Sequence, residues 1–385
     1  MKLNSRIISL LASLLLAGCQ STAVIQIDPT LSFHDDLFPD YQDFYIETAE
    51  EVFFIDQSMK NFVDEKINRN RDSDIQIKAL SDAIFDRSDL NLLYKNDANT
   101  VAEETFSNRS ANCLSLTIMT YALADYANFS VHFQQVDTPE LWVRREGNNL
   151  LNRHVNLRLY KKTKSNIVLF KQTSYQLDFD RRAQSLRLPA KKIDKKRVLA
   201  MFYNNKAADA LIKERYSQAY AYFRAALTLD PMFTEAWTNF GLLYRRTGHI
   251  KLAEESYLKA LTINKNDLTT LENIAHIYSI TDREDKAANI RRKILAQRTD
   301  NPFYYFMLGE IAFDKQDWNL AIKQYKKAIR LNKKQHHFYF ALARAYFKND
   351  DVEQSKKYMT LAKRYSPMKD LQILYQGKLD RLEGI

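Results

Sequence analysis

Residues 234–267 read TEAWTNFGLLYRRTGHIKLAEESYLKALTINKND. A large residue stands at the fourth place (Trp237), and small ones stand at the eighth (Gly241), twentieth (Ala253) and twenty-seventh (Ala260). From residue 200 onward this pattern returns every 34 residues without a slip. Tyr203, Trp237, Leu271, Tyr305 and Tyr339 hold the fourth place; Ala207, Gly241, Ala275, Gly309 and Ala343 the eighth. Ala219, Ala253, Ala287, Ala321 and Ser355 hold the twentieth, and Ala226, Ala260, Ile294, Ala328 and Ala362 the twenty-seventh. Small residues at fixed places let paired helices approach closely, while large ones at places four, seven and eleven fill the space between units. One such unit cannot bury its own apolar face; a stack of them can.

These units resemble the tetratricopeptide repeat. The resemblance implies an all-α solenoid of five helix–turn–helix units over 200–369, starting at 200, 234, 268, 302 and 336, with Pro231 and Pro367 closing the first and fifth. The third is the least regular, with Arg291 and Ile294 where an aromatic residue and an alanine are usual. Beyond it Leu371, Leu374, Tyr375, Leu379 and Leu382 share one helical stripe, which predicts a capping helix over 370–385. Asn205, Asn239 and Asn273 share the sixth place, so translation by one unit stacks them into a ladder. In tetratricopeptide arrays that place lines the concave groove, where amides bind a peptide or protein ligand.

The first residues are of another kind. Lys2 and Arg6 precede an apolar run from Ile7 to Leu16, too short to span a bilayer, and then Leu16, Ala17, Gly18 and Cys19. This ending resembles the lipobox of bacterial lipoproteins. It implies a signal peptide over 1–18, lipidation of Cys19 and a tether over 19–34. Gln20, in place of an aspartate, implies the outer membrane, facing the periplasm. In that compartment nucleic acid is a poor partner.

Only seven glycines and seven prolines occur, which favours long helices. The formal charge of +10 falls to +8 once Lys2 and Arg6 are removed. Residues 28–110 carry 19 acidic and 8 basic side chains, whereas 153–200 carry 14 basic and 3 acidic. The basic block would attract the acidic one, or face an anionic envelope component. Helical spacing over 41–68 and 75–88 gives way to period-two alternation over Ser130–Val136 and His154–Tyr160. Helices followed by strands predict an α+β domain over 35–190, joined to the repeats by a solvated, lysine-rich linker over 191–199.

With Cys19 lipidated, Cys113 is the one free thiol. Ser110 or Asn112 would cap the helix that follows, placing Cys113 in its first turn, where orphan N–H groups favour a thiolate and offer oxyanion donors. Downstream, His154 opens a strand, and Asp178 falls within the alternating stretch Tyr175–Asp180. Cys113, His154 and Asp178 follow the logic of thiolate, base and orienting carboxylate. His132 is the alternative base, and Asp180 shares a face with Asp178.

The segments Ala102–Phe106, Asn112–Leu116, Trp142, His154–Asn156 and Leu177–Phe179 resemble the transglutaminase-like superfamily, related in fold to papain-type cysteine proteases. The resemblance covers roughly 90–182. It implies Cys113 as nucleophile, His154 as general base and acid, Asp178 as its partner, Asn112 as an aid to carbonyl polarisation and Trp142 as a cleft wall. Ala111 departs from the pattern, standing where a glycine is expected. No metal-ligand cluster and no phosphate-binding glycine loop is visible, so neither metal nor cofactor is expected. The reading is an envelope lipoprotein whose thiol domain transfers or hydrolyses an acyl group while the repeats hold a protein. Its alternative is a non-catalytic scaffold.

Overall fold

The computed structural model describes residues 33–85, 90, 92–95, 97–137, 142–145, 148–151, 154–161, 174–179, 188–367 and 369–383. The signal stretch, Cys19 and Asp180 lie outside the described residues.

The chain enters through two 3-10 turns, Asp35–Leu37 and Pro39–Asp43. Three helices follow, α1 (Ala49–Val52), α2 (Gln57–Lys66) and α3 (Ser73–Phe85), and then β1 (Leu93–Tyr94), α4 (Ala102–Asn108), β2 (Ser110–Ala111) and α5 (Cys113–Tyr126). Asp56 caps α2 through the N–H of Met59, and Thr48 and Glu51 form a reciprocal capping box on α1. Next come β3 (Ser130–Val136), β4 (Trp142–Arg145), β5 (Asn148–Leu151), β6 (His154–Tyr160), β7 (Ser174–Leu177) and β8 (Ala190–Ile193).

β7, β6, β3 and β8 form one antiparallel sheet in that order; β1 pairs with β2 in parallel, and β4 with β5 as an antiparallel hairpin. α5 packs on β3 and β6 and against α2 and α4. It is buried around nearly its whole circumference, which is why Cys113 through Thr120 carry no charge.

Residues 191–199 are not a linker, although Lys191, Lys192, Lys195 and Lys196 are exposed as expected. Lys191 and Lys192 sit on β8, paired with Gln135 and Gln134 of β3. After the single residue Asp194, whose carboxylate caps the N–H of Arg197 at 2.8 Å, the helix α6 (Lys195–Ile212) begins. Lys195 lays its ammonium 4.1 Å from the ring centre of Phe53, so a residue read as solvated joins the two halves.

From α6 the solenoid runs as α7 (Tyr216–Leu229), α8 (Thr234–Arg246), α9 (Ile250–Ile263), α10 (Leu268–Ile280), α11 (Glu284–Arg298), α12 (Pro302–Asp314), α13 (Trp318–Leu331), α14 (His336–Lys348) and α15 (Val352–Tyr365), closed by α16 (Lys369–Glu383). The first helices of units two to five thus begin at 234, 268, 302 and 336, the starts expected from the period. In each unit the turn between helices uses the left-handed region at the fifteenth place: Glu214, Gly248, Asp282, Gln316 and Asp350, with φ between 56° and 86°. Gly241 and Gly309 are small for a visible reason, since a Cβ at either would strike the buried ring of Tyr257 or Tyr325.

The entering segment straps across the first two units. Phe38 stacks on Tyr220 with ring centres 4.4 Å apart, and Asp35 accepts from Tyr220 at 2.7 Å and from Arg224 at 3.0 Å. Glu47 accepts from Tyr222 and pairs with Lys206, each at 2.9 Å. Among the described residues, attraction between the acidic and basic blocks is seen in Lys161 to Asp72 at 3.1 Å. Among the described residues no helix is long and apolar enough to cross a membrane.

Candidate functional site

Cys113 is the first residue of α5, and Asn112 is its cap: Asn112 Oδ1 accepts from the N–H of Ser115 at 2.9 Å. Of the two caps the sequence allowed, Asn112 is the one used, and Ser110 sits on β2 instead. Pairing of β3 with β6 places His154 opposite Val136, at the end of the sheet where α5 begins. Cys113 Sγ lies 3.4 Å from His154 Nδ1, and also 3.4 Å from the carbonyl oxygen of Val155. His154 Nε2 lies 2.6 Å from Asp178 Oδ1. A carboxylate only accepts, so Nε2 carries the proton there and Nδ1 faces the sulfur.

All three residues are deeply buried, with Cys113 7%, His154 3% and Asp178 1% exposed. Burial by itself disfavours the imidazolium, but the hydrogen bonds to Asp178 and Cys113, with their charges, outweigh it and His154 is pushed up to about 10. The ring is therefore held as a proton donor at neutral pH.

Asp178 is not within a strand, as alternation predicted. β7 ends at Leu177, paired with Leu157, and Asp178 follows directly. Its second oxygen accepts from Asn156 Nδ2 at 3.0 Å. Asn156 is fully buried, and its role was overlooked in the sequence although period two put it on the face of His154. His132 is four residues along β3 from the partner of His154, on the order of 13 Å away. Its ring packs 5.0 Å from that of Tyr160, and burial together with Lys192 keeps it below the ordinary imidazole range.

Asn112 corrects a second expectation. Its carbonyl is engaged by Ser115 and its amide NH2 donates to Asn99 Oδ1, so both ends serve the cap and neither is directed at a substrate carbonyl. Thr100, buried beside it, donates its N–H to Ser115 Oγ at 2.9 Å. Trp142 lies on β4, but its side chain is outside the described residues.

In the array the asparagine ladder does not form as a straight stack. Asn239 Nδ2 donates to Asn204 Oδ1 at 2.9 Å, the fifth place of the unit before and not Asn205, because superhelical twist offsets successive units. Asn273 turns back onto the carbonyl of Thr269 in its own helix at 3.0 Å.

The basic block is partly used internally: Arg197 pairs with Asp230 at 2.5 Å, and Lys191, Lys192 and Arg197 share with Gln135, Asp194 and Asp230 a cavity of about 280 Å³. Among the described residues no group of His, Cys, Asp and Glu could hold a metal ion.

Tetratricopeptide repeat family models match residues 234–267, 300–350 and 336–367. The second half of the chain thus carries tetratricopeptide repeats. A stretch of 98 residues is 36% identical to the uncharacterized protein ycf37 of Guillardia theta, covering 24% of this chain and 55% of that protein, so the chain spans about half the length of this curated relative. Among solved structures, pilF of Pseudomonas aeruginosa is 19% identical, over 50% of this chain and 87% of that one, with a TM-score of 0.28. YrrB, described as a TPR protein with an unusual peptide-binding site, is 16% identical over 46% and 92%, with a TM-score of 0.26.

Proposed function

We propose that this protein is an envelope lipoprotein, anchored through Cys19 to the outer membrane and facing the periplasm, with a thiol acyl-transfer or hydrolase domain beside a protein-binding tetratricopeptide groove. A transglutaminase-like domain is the reading we give to the α+β half. The observation that carries it is the unbroken line from Cys113 Sγ through the imidazole of His154 to Asp178, assembled from a helix start, a strand start and a strand end.

In this reading the Cys113 thiolate attacks an amide or ester carbonyl, forming a C–S bond. The N–H groups of Cys113 and Leu114, the first-turn donors of α5 that the Asn112 side chain does not engage, receive the oxyanion. Collapse breaks the C–N or C–O bond, and His154 Nδ1–H gives its proton to the leaving group. Water then attacks the thioester with His154 as base, forming C–O, breaking C–S and restoring the thiol. Hydrolysis is preferred to cross-linking because water is abundant. Asp178 keeps the ring oriented throughout.

Burial of all three residues favours a second reading, a non-catalytic scaffold in which the repeats do the work. The peptide-binding site described for YrrB supports a peptide or protein ligand for the groove under either reading. An anionic envelope component at the 153–200 block remains a proposal, with salt-dependent binding as its signature.

The test is alkylation of Cys113 by iodoacetamide in the full chain, followed by mass spectrometry of the Cys113 peptide, with and without His154→Ala. Loss of the imidazole slows a reaction that depends on a thiolate–imidazolium pair. Rates indifferent to His154 sink the catalytic reading and leave the scaffold.

A further inference from the structure

One carboxylate and two side-chain amides run from the solenoid to the start of α5. Asp209, at the tenth place of the first unit, accepts from Asn99 Nδ2; Asn99 Oδ1 accepts from Asn112 Nδ2; Asn112 Oδ1 accepts from the N–H of Ser115. Asn112 is 7% exposed, and Asn99 and Asp209 are half-buried.

The chain has a direction, and its polarity is imposed at one end. A carboxylate has acceptors only, so Asn99 must present its NH2 to Asp209, which leaves its carbonyl for Asn112. Asn112 must then spend its NH2 on Asn99, which frees its carbonyl for the helix N–H, the one arrangement in which it caps α5. Without the carboxylate, either amide can turn over. A turned Asn112 would present NH2 to an N–H and lose the cap.

We propose that Asp209 is a positioning residue for Cys113, acting from the first helix of the repeats through Asn99 and Asn112. The proposal rests on the reading of Cys113 as a nucleophile, and it makes the first tetratricopeptide unit part of the thiol site and not merely its neighbour.

The test measures Cys113 alkylation in the full chain for Asp209→Ala, Asp209→Asn, Asn112→Ala and the double variant Asp209→Ala/Asn112→Ala, with thermal melting as a check on folding. One net hydrogen bond corresponds to about a 3- to 10-fold change in rate. Asp209→Ala slows alkylation by that factor, the double variant is no slower than Asn112→Ala alone, and Asp209→Asn, which keeps an acceptor but no longer imposes the direction, restores only part of the rate. Asp230→Asn, off the chain, lowers the melting temperature without changing the rate. Additive effects of Asp209→Ala and Asn112→Ala, faster alkylation in Asp209→Ala, or equal rates for Asp209→Asn and Asp209→Ala would each overturn the proposal. If His154→Ala has no effect while the double variant behaves as stated, the catalytic reading fails and the relay stands.

Discussion

Asn156 Nδ2 donates to Asp178 Oδ2 at 3.0 Å, occupying the carboxylate oxygen that His154 leaves open. Asn156 Oδ1 is buried without a hydrogen-bond partner among the described residues, so the donor end alone carries the side chain's polar contribution. Replacing Asn156 by alanine takes that donor away from a buried carboxylate. We expect a loss of about 1–3 kcal/mol in denaturant unfolding and slower Cys113 alkylation. Unchanged stability would show that water replaces the amide at no cost.

His154 gives the fold a pH dependence of known sign. Its folded value lies at about 10 against an ordinary 6.5, so its contribution is complete below about pH 6.5 and is lost as pH climbs through 10. Unfolding free energy of the wild type should fall between pH 7 and 10 by about 1 kcal/mol or more relative to Asp178→Asn, which lacks the carboxylate that helps hold the imidazolium. Parallel pH curves for the two proteins would remove Asp178 as the cause.

The 34-residue period was legible because small and large residues recur where helices touch, and contact chemistry is what a sequence records best. Cys113 and His154 could be named for a similar reason, each a reactive type beside a recognisable element boundary, whereas only the resemblance to the transglutaminase-like pattern prefers Asp178 to Asp180. What could not be read is geometry set by ends and registers. Nothing in the alternation of Tyr175–Asp180 says that β7 stops at Leu177. Lys191 and Lys192 are solvated and yet lie on a strand, because an edge strand can be lysine-rich and still pair, as both do with β3. The roles of Asn99 and Asp209 depend on contacts across more than a hundred residues of chain, which no local pattern announces.

Gly241 faces the ring of Tyr257, with an added Cβ only 2.6 Å from its edge. Tyr257 is fully buried and cannot swing aside. Gly241→Ala should therefore lower stability by about 1–3 kcal/mol despite the better helix propensity of alanine. Tyr257→Leu in the same chain should recover part of the loss. A more stable Gly241→Ala would show that the helix pair has slack at this crossing.

The fifteenth place of each unit is left-handed, yet glycine occupies it only at Gly248. Gln316→Gly should raise the melting midpoint, by about 0.5–1 kcal/mol in stability, because the side chain is held where L-residues are strained. Gly248→Ala should lower it by about 1 kcal/mol, since its surroundings are open and backbone strain is the sole penalty. Equal and opposite shifts in thermal melts would identify the turn as an independent module in each unit.

The junction at Asp194 has a practical meaning for anyone who would take the chain apart. A cut before α6 would strip Lys195 from Phe53, Asp209 from Asn99 and the seat of the entering strap from Tyr220, all at once. The repeats cannot be exchanged like beads on a string at their first bead. That unit belongs to both halves, and the strap reaches the second unit as well, through Phe38 on Tyr244 and Phe33 on Phe240.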